Sequence, residues 1–110
     1  MAKISDLTLT GKSGKKYDFE VYSIDTAFNE VAAVYAVTKR YKNSSNEFKH
    51  TVIYIGQTDN LKERHDNHHK EECFKRNDAN CICVHQDSNE KSRLAKEADL
   101  IAAYDPPCNG

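Results

Sequence analysis

Two stretches decide how this chain folds: Ala33-Val34-Tyr35-Ala36-Val37 and Thr51-Val52-Ile53-Tyr54-Ile55-Gly56. Both are short runs rich in β-branched and aromatic residues, the composition of strands. The polar stretch between them, Lys39 to Lys49, contains Asn43-Ser44-Ser45-Asn46, a turn signal. The two runs therefore read as an antiparallel pair. Their connection is long for a hairpin, and its length predicts a mobile loop near whatever the pair presents.

Working outward, Leu7-Thr8-Leu9-Thr10 alternates apolar and polar residues, Gly11-Lys12-Ser13-Gly14 signals a turn, and Tyr17-Asp18-Phe19-Glu20-Val21 resumes the alternation. Tyr17, Phe19 and Val21 then share one face, and residues 4–24 form a β-hairpin. Asp25 caps a short helix through Val31, or the segment is an irregular turn. Downstream of Gly56, Asp59 is a suitable N-cap for a polar helix running to Arg76, and Cys81-Ile82-Cys83-Val84 is a short strand. Asp87 or Ser88 starts the last helix, with Glu90 in capping-box spacing after Asp87. Leu94, Ala98, Ile101 and Ala102 supply its apolar stripe, and Pro106-Pro107 ends it. The fold class that follows is α/β (α+β): a small, mostly antiparallel central sheet flanked by helices, one domain over residues 1–110.

The chain has 110 residues, a formal net charge of −1, 38% hydrophobic and 30% charged residues, a composition that needs neither disulfides nor a structural metal to build a core. No apolar run approaches the roughly 20 residues of a membrane span. Met1-Ala2-Lys3 leads into a polar segment without a signal-peptide core, so a cytoplasmic protein with no membrane partner is expected. Cys73, Cys81, Cys83 and Cys108 are then expected to be reduced thiols. Near-neutral charge does not exclude nucleic acid, because phosphate contacts need only a few placed cations. Lys12, Lys15 and Lys16 form one basic cluster, and Lys39, Arg40, Lys42 and Lys49 another; both are candidate nucleic-acid contacts or ordinary solvated loops.

Glu97 falls within or beside the apolar stripe of the last helix. A carboxylate buried there needs a cation, a metal or hydrogen bonds; tilted outward, it pairs with Lys96 or Arg93. Arg64 and His68, four apart, project from one face of the helix after Gly56. A guanidinium fork suits phosphate oxygens and an imidazole moves protons near neutral pH. His65, His69 and Cys73 on the same helix offer a competing zinc-binding arrangement, and on spacing alone a solvated helix face is the better explanation of them all.

The order Ala33-Val34-Tyr35, Tyr54-Ile55-Gly56, Arg64, His68, Glu97, Asn109 resembles the GIY-YIG endonuclease superfamily over residues 33–109. The closing segment from Glu97 to Pro106-Pro107-Cys108-Asn109 is especially similar. Ala33 stands where the family has glycine, the linker between the tripeptides exceeds the family's shortest, and the leading hairpin lies outside the resemblance; it completes the sheet or guides substrate. The resemblance implies a metal-dependent phosphodiester hydrolase with Tyr35, Tyr54, Arg64, His68, Glu97 and Asn109 in its site. Glu97 would hold one Mg²⁺ or Mn²⁺, Arg64 would clamp phosphate, and His68 would accept or relay a proton. One tyrosine, Tyr35 first, would be the base. Gly56 would permit close approach to the site, and Asn109 would brace it. The implied substrate is nucleic acid, DNA ahead of RNA, with a protein partner supplying target choice. The rivals are a catalytically weak nucleic-acid-binding module of the same fold and a zinc-binding interaction domain.

Overall fold

Ala33–Thr38 and Cys81–Val84 are nearly unbroken apolar runs because they lie in central strands covered on both faces. The computed structural model describes residues 2–66 and 68–110. Five strands, β1 (Ser5–Thr10), β2 (Lys16–Ser23), β3 (Ala33–Lys42), β4 (Phe48–Thr58) and β5 (Cys81–Gln86), form one sheet in the order β1-β2-β5-β3-β4. Every neighbouring pair is antiparallel. The N-terminal hairpin joins the sheet through β2 against β5, so it completes the sheet rather than standing apart from it.

Strand alternation divides the core in two. On one face lie Tyr22, Tyr35, Val37, Ile53, Tyr54, Ile82 and Val84, covered by Phe28, Leu61, Phe74 and Cys108. On the other lie Leu9, Phe19, Val21, Val34, Ala36, Ile55 and Cys83, covered by Leu100 of the last helix. Tyr17 packs against this second cluster beside Phe19 and Val21, the face the alternation predicts.

The stretch from Lys39 to Lys49 is not a loose loop. β3 runs to Lys42 and β4 begins at Phe48, leaving a tight turn. Asn43 Oδ1 accepts the Ser45 and Glu47 amides, and Asn46 adopts φ 65°, which asparagine tolerates. The Arg40 guanidinium stacks 3.7 Å above the Phe48 ring, so polar residues extend the ladder past the core where an apolar pattern could not mark it. Residues 24–31 take the irregular course: a turn at Ile24 and Asp25, then no helix.

The helix expected from Asp59 to Arg76 is two short ones, α1 (Leu61–Asp66) and α2 (Glu71–Arg76), with His68–Lys70 non-helical; Asn67 lies outside the described residues. Leu61 and Phe74 are the buried residues of the two helices, too widely spaced for a continuous apolar stripe. Asn60, not Asp59, serves the first turn, its Oδ1 accepting the Glu63 amide at 3.1 Å.

The last helix, α3, spans Glu90–Tyr104. Its cap is Asn89, whose side chain accepts the Ser92 amide, displacing the expected capping box; Asp87 instead receives the Asn89 amide. Its buried side matches the expected stripe only at Ile101, which packs against the second cluster. Leu94 is 46% exposed and Ala98 and Ala102 face outward, whereas Arg93 and Leu100 are buried and Glu97 half-buried. Arg93 wins an inward place because its Nε reaches Gln57 Oε1 at 3.1 Å and its Nη1 the Asp87 carbonyl at 3.0 Å. The helix ends at Asp105 in the left-handed conformation, before the two prolines.

Cys73 and Cys108 form a disulfide, correcting the expectation of four free thiols. Tertiary packing brings α2 and the C-terminal 3₁₀ turn (Pro107–Asn109) together, which sequence spacing does not reveal. Cys81 and Cys83 are free and buried. No helix among the described residues is long and apolar enough to cross a membrane. Because the bridge closes a loop between residues 35 apart, Cys108→Ser is expected to lower the unfolding free energy by about 3–4 kcal/mol. Urea unfolding, compared with the wild-type protein with and without reductant, measures this.

Candidate functional site

One irregularity aims Tyr54. The register of β3 with β4 pairs Val37 with Tyr54 but Thr38 with Val52, leaving Ile53 as an extra residue in β4. In regular alternation Ile53 and Tyr54 would point to opposite faces. The bulge puts both in the cluster that holds Tyr35, while Val52 and Ile55 belong to the other face. The two tyrosine rings then lie 6.0 Å apart.

Gly56 pairs directly with Tyr35 across the ladder. A Cβ at Gly56 would stand 2.6 Å from both Cζ and Oη of Tyr35. The group that needs close approach at this glycine is therefore the Tyr35 phenol, which crosses over the bare backbone.

Arg64 on α1 and Glu97 on α3 reach the same place from opposite sides of β4. Burial holds the Tyr35 phenol far above its ordinary range, the adjacent Tyr54 adds to this, and the Arg64 guanidinium opposes it. Tyr54 is raised by burial, eased by a hydrogen bond from Tyr35, raised again by Glu97 and eased by Arg64. Glu97 is itself raised by burial, with the Gln57 backbone N–H and then Arg64 favouring its charged form. These mutual influences bring two phenols, a guanidinium and a carboxylate into one group. Neither suggested partner of Glu97 takes it: Lys96 bonds Asp87 at 2.9 Å and His85 at 2.8 Å, and Arg93 turns to Gln57.

His68 enters the group by leaving the helix. Its Nε2 lies 2.7 Å from Tyr35 Oη, and its Nδ1 accepts the Lys70 amide at 3.1 Å. Burial, followed by His69, Arg64, His65 and Lys70, pushes its pKa down to about 4, so the ring is neutral at pH 7. A neutral ring accepting at Nδ1 carries its proton on Nε2 and donates to Tyr35. His68 Nε2–H reaches Tyr35 Oη, and the Tyr35 hydroxyl lies close enough to Tyr54 to ease ionisation of that second phenol. His68 is thus a donor here, whereas the expected proton-acceptor role requires the other tautomer and the loss of the Lys70 bond.

Asn109 acts on the outer edge of β4. Its Oδ1 accepts the Ile55 amide at 2.9 Å and its Nδ2 donates to the Ile55 carbonyl at 2.8 Å. The amide thereby satisfies both main-chain groups of the residue between Tyr54 and Gly56. Gln57 and Arg93, whose roles no spacing signalled, complete this edge: Gln57 offers its amide to Glu97 and its side chain to Arg93.

The basic clusters lie elsewhere. Lys12 and Lys15 belong to the β1–β2 turn and Lys16 begins β2; Asp99 of α3 fastens the turn through Ser13 N, Ser13 Oγ and, nearby, Tyr17 Oη. Asp99 is about 200° around the helix from Glu97. Lys39, Arg40 and Lys42 line the β3–β4 arm, and Lys42 lies seven residues, about 23 Å, along the strand from Tyr35. The zinc arrangement does not assemble. Cys73 is in the disulfide, His65 packs against Phe28, and His69 stacks on His68. Among the described residues no group of three or more His, Cys, Asp or Glu side chains is placed to hold a metal ion.

Two outcomes check this geometry. Gly56→Ala is expected to cost about 1–3 kcal/mol of stability, because the Tyr35 ring must move; thermal unfolding and the near-ultraviolet tyrosine signal measure it. For His68, the unfolded ring binds its proton near pH 6.5 and the folded ring only near about 4. Acidification through that window therefore favours the unfolded chain. His68→Gln, which keeps a donor but does not titrate, is expected to lose less thermal stability across the same window.

No family model, curated protein or solved structure matches the chain.

Proposed function

We propose that this chain is a metal-dependent endonuclease of the GIY-YIG type, hydrolysing phosphodiester bonds in nucleic acid, with DNA as the first substrate class. The observation that carries the reading is the meeting of Tyr35, Tyr54, Arg64, His68 and Glu97, drawn from β3, β4, α1, the α1–α2 connection and α3, in one partly buried group. Hydrolysis of a phosphodiester needs an activated water, countercharge for the developing negative charge, and help for the leaving oxygen.

Glu97 is a hard oxygen donor held inward by one backbone N–H, which suits a cation that takes its other ligands from water and phosphate. Glu97 would hold a Mg²⁺ or Mn²⁺ ion there, which would supply countercharge for the negative charge developing in hydrolysis. Arg64 binds the phosphate oxygens with its fork. The deeper burial of Tyr35, and the easing of Tyr54 by Tyr35 and Arg64, favour Tyr54 over Tyr35 as the phenol that ionises, although the family analogy puts Tyr35 first. With Arg64 and the Tyr35 O–H favouring its ionised form, Tyr54 first gives its own proton to solvent. Its phenolate then takes one proton of the attacking water, the leaving oxygen takes a proton from solvent, and His68 Nε2–H orients Tyr35. Asn109 keeps Ile55, and so Tyr54, in place. Target choice falls to a protein partner or to the structure of the nucleic acid.

Incubation with single-stranded, nicked, branched and duplex DNA and with RNA, with and without Mn²⁺, tests the reading. Glu97→Ala is expected to abolish cleavage while keeping the wild-type circular dichroism; activity retained in that variant sinks the metal assignment. Arg64→Ala is expected to fall by about 10²–10³-fold, the scale of a lost transition-state contact. Salt-sensitive binding with no cleavage under any condition would favour the binding-module reading instead.

A further inference from the structure

A cavity of about 360 Å³ opens between the sheet and the two short helices. Tyr35, Arg64 and His68 line it, and Tyr54 and Glu97 do not, so Tyr35 and Arg64 stand between the cavity and the carboxylate. Leu61, Phe74 and Ile82 give the cavity an apolar floor. Asp25, Glu71 and Lys75, all exposed, stand at its rim.

A phosphodiester held by Arg64 beside Tyr35 carries a nucleoside on each side. One of them must then lie at the mouth of this cavity. We propose that the cavity receives the base of the nucleotide adjoining the cleaved phosphate, unstacked from its neighbours, an inference that rests on the phosphodiesterase reading. The volume is near the lower limit of ligand pockets, roughly 300–1,000 Å³, which accommodates one nucleoside and excludes a base pair. The ring faces of a base match the floor, while Asp25 and the exposed Glu71–Lys75 pair, 3.6 Å apart at the rim, offer polar groups to its edge. The substrate is therefore a nucleic acid with an unpaired or easily extruded nucleotide at the cut.

The test begins without catalysis. The wild-type chain is titrated with 2′-deoxyadenosine 5′-monophosphate and separately with inorganic phosphate, and amide resonances are followed. The nucleotide is expected to bind about tenfold more tightly than phosphate, the scale of one stacked base, with shifts at Leu61, Phe74 and Ile82. Ala79→Phe, which fills the cavity, and Ile24→Trp, which fills it from another wall, are expected to bring the ratio of the two affinities close to one. Their amide spectra report whether each remains folded. Equal affinity in the wild-type chain, or nucleotide shifts confined to other surfaces, overturns the assignment. In cleavage, a duplex with one unpaired nucleotide at the cut is expected to react about tenfold faster than a fully paired one, and both filled variants to lose that ratio. Equal rates on the two duplexes overturn the base site and leave the nuclease reading standing. A nucleotide seated in the cavity of a chain that cuts nothing sinks the nuclease reading and with it the site's place beside a cut, leaving a nucleotide-binding cavity.

Discussion

The extra residue in β4 opposite Val37 and Thr38 is the constraint on which the site depends. A strand delivers alternate side chains to opposite faces, and a shift of one residue exchanges them all. By holding Ile53 and Tyr54 on one face and returning Ile55 to the other, the bulge sets two hydroxyl-bearing rings side by side without disturbing the strand beyond. The cross-strand partner of Tyr35 is then Gly56, and the bare backbone there gives that ring its place. The local geometry of two neighbouring strands thus arranges the phenols, and the helices bring charge to them.

β4 is also the edge of the sheet, and its outward main-chain groups are where the rest of the site attaches. Exposed edge groups invite pairing with other chains. Here Ile55 is closed by the Asn109 amide, and Gln57 by Glu97 through its backbone and Arg93 through its side chain. The same contacts that cover the edge fix the carboxylate and the tail beside Tyr54. This explains why α3 turns Arg93 and Glu97 inward at the expense of Leu94.

The five strands and the last helix were legible in the sequence because each carries an apolar period or a turn signal of its own. Residues 39–49 and the break after α1 were not, since polar strand residues and a non-helical His68 leave no periodic trace. The order of Tyr35, Tyr54, Arg64, Glu97 and Asn109 pointed to candidates, but not to their mutual bonds. That Asn109 would grip Ile55, or that His68 would donate to Tyr35, depends on a bulge, an edge and a helix break, all of which are products of tertiary packing. The stripe proposed for α3 held at Ile101 but failed at Leu94, because hydropathy ranks Leu94 above Arg93, whereas two hydrogen bonds decided which side turned in.

The Cys73–Cys108 bridge has a reach beyond its two sulfurs. Cys73 precedes Phe74, whose ring packs against Tyr54 and His68, and Cys108 precedes Asn109. One covalent staple therefore holds, at a distance of a single residue each, the aromatic backing of Tyr54 and the clamp on its strand. Were the staple reduced, the alignment of Tyr54 would depend on noncovalent contacts alone. The oxidation state of the chain's two linked sulfurs is in this way coupled to the order of the tyrosine and histidine group.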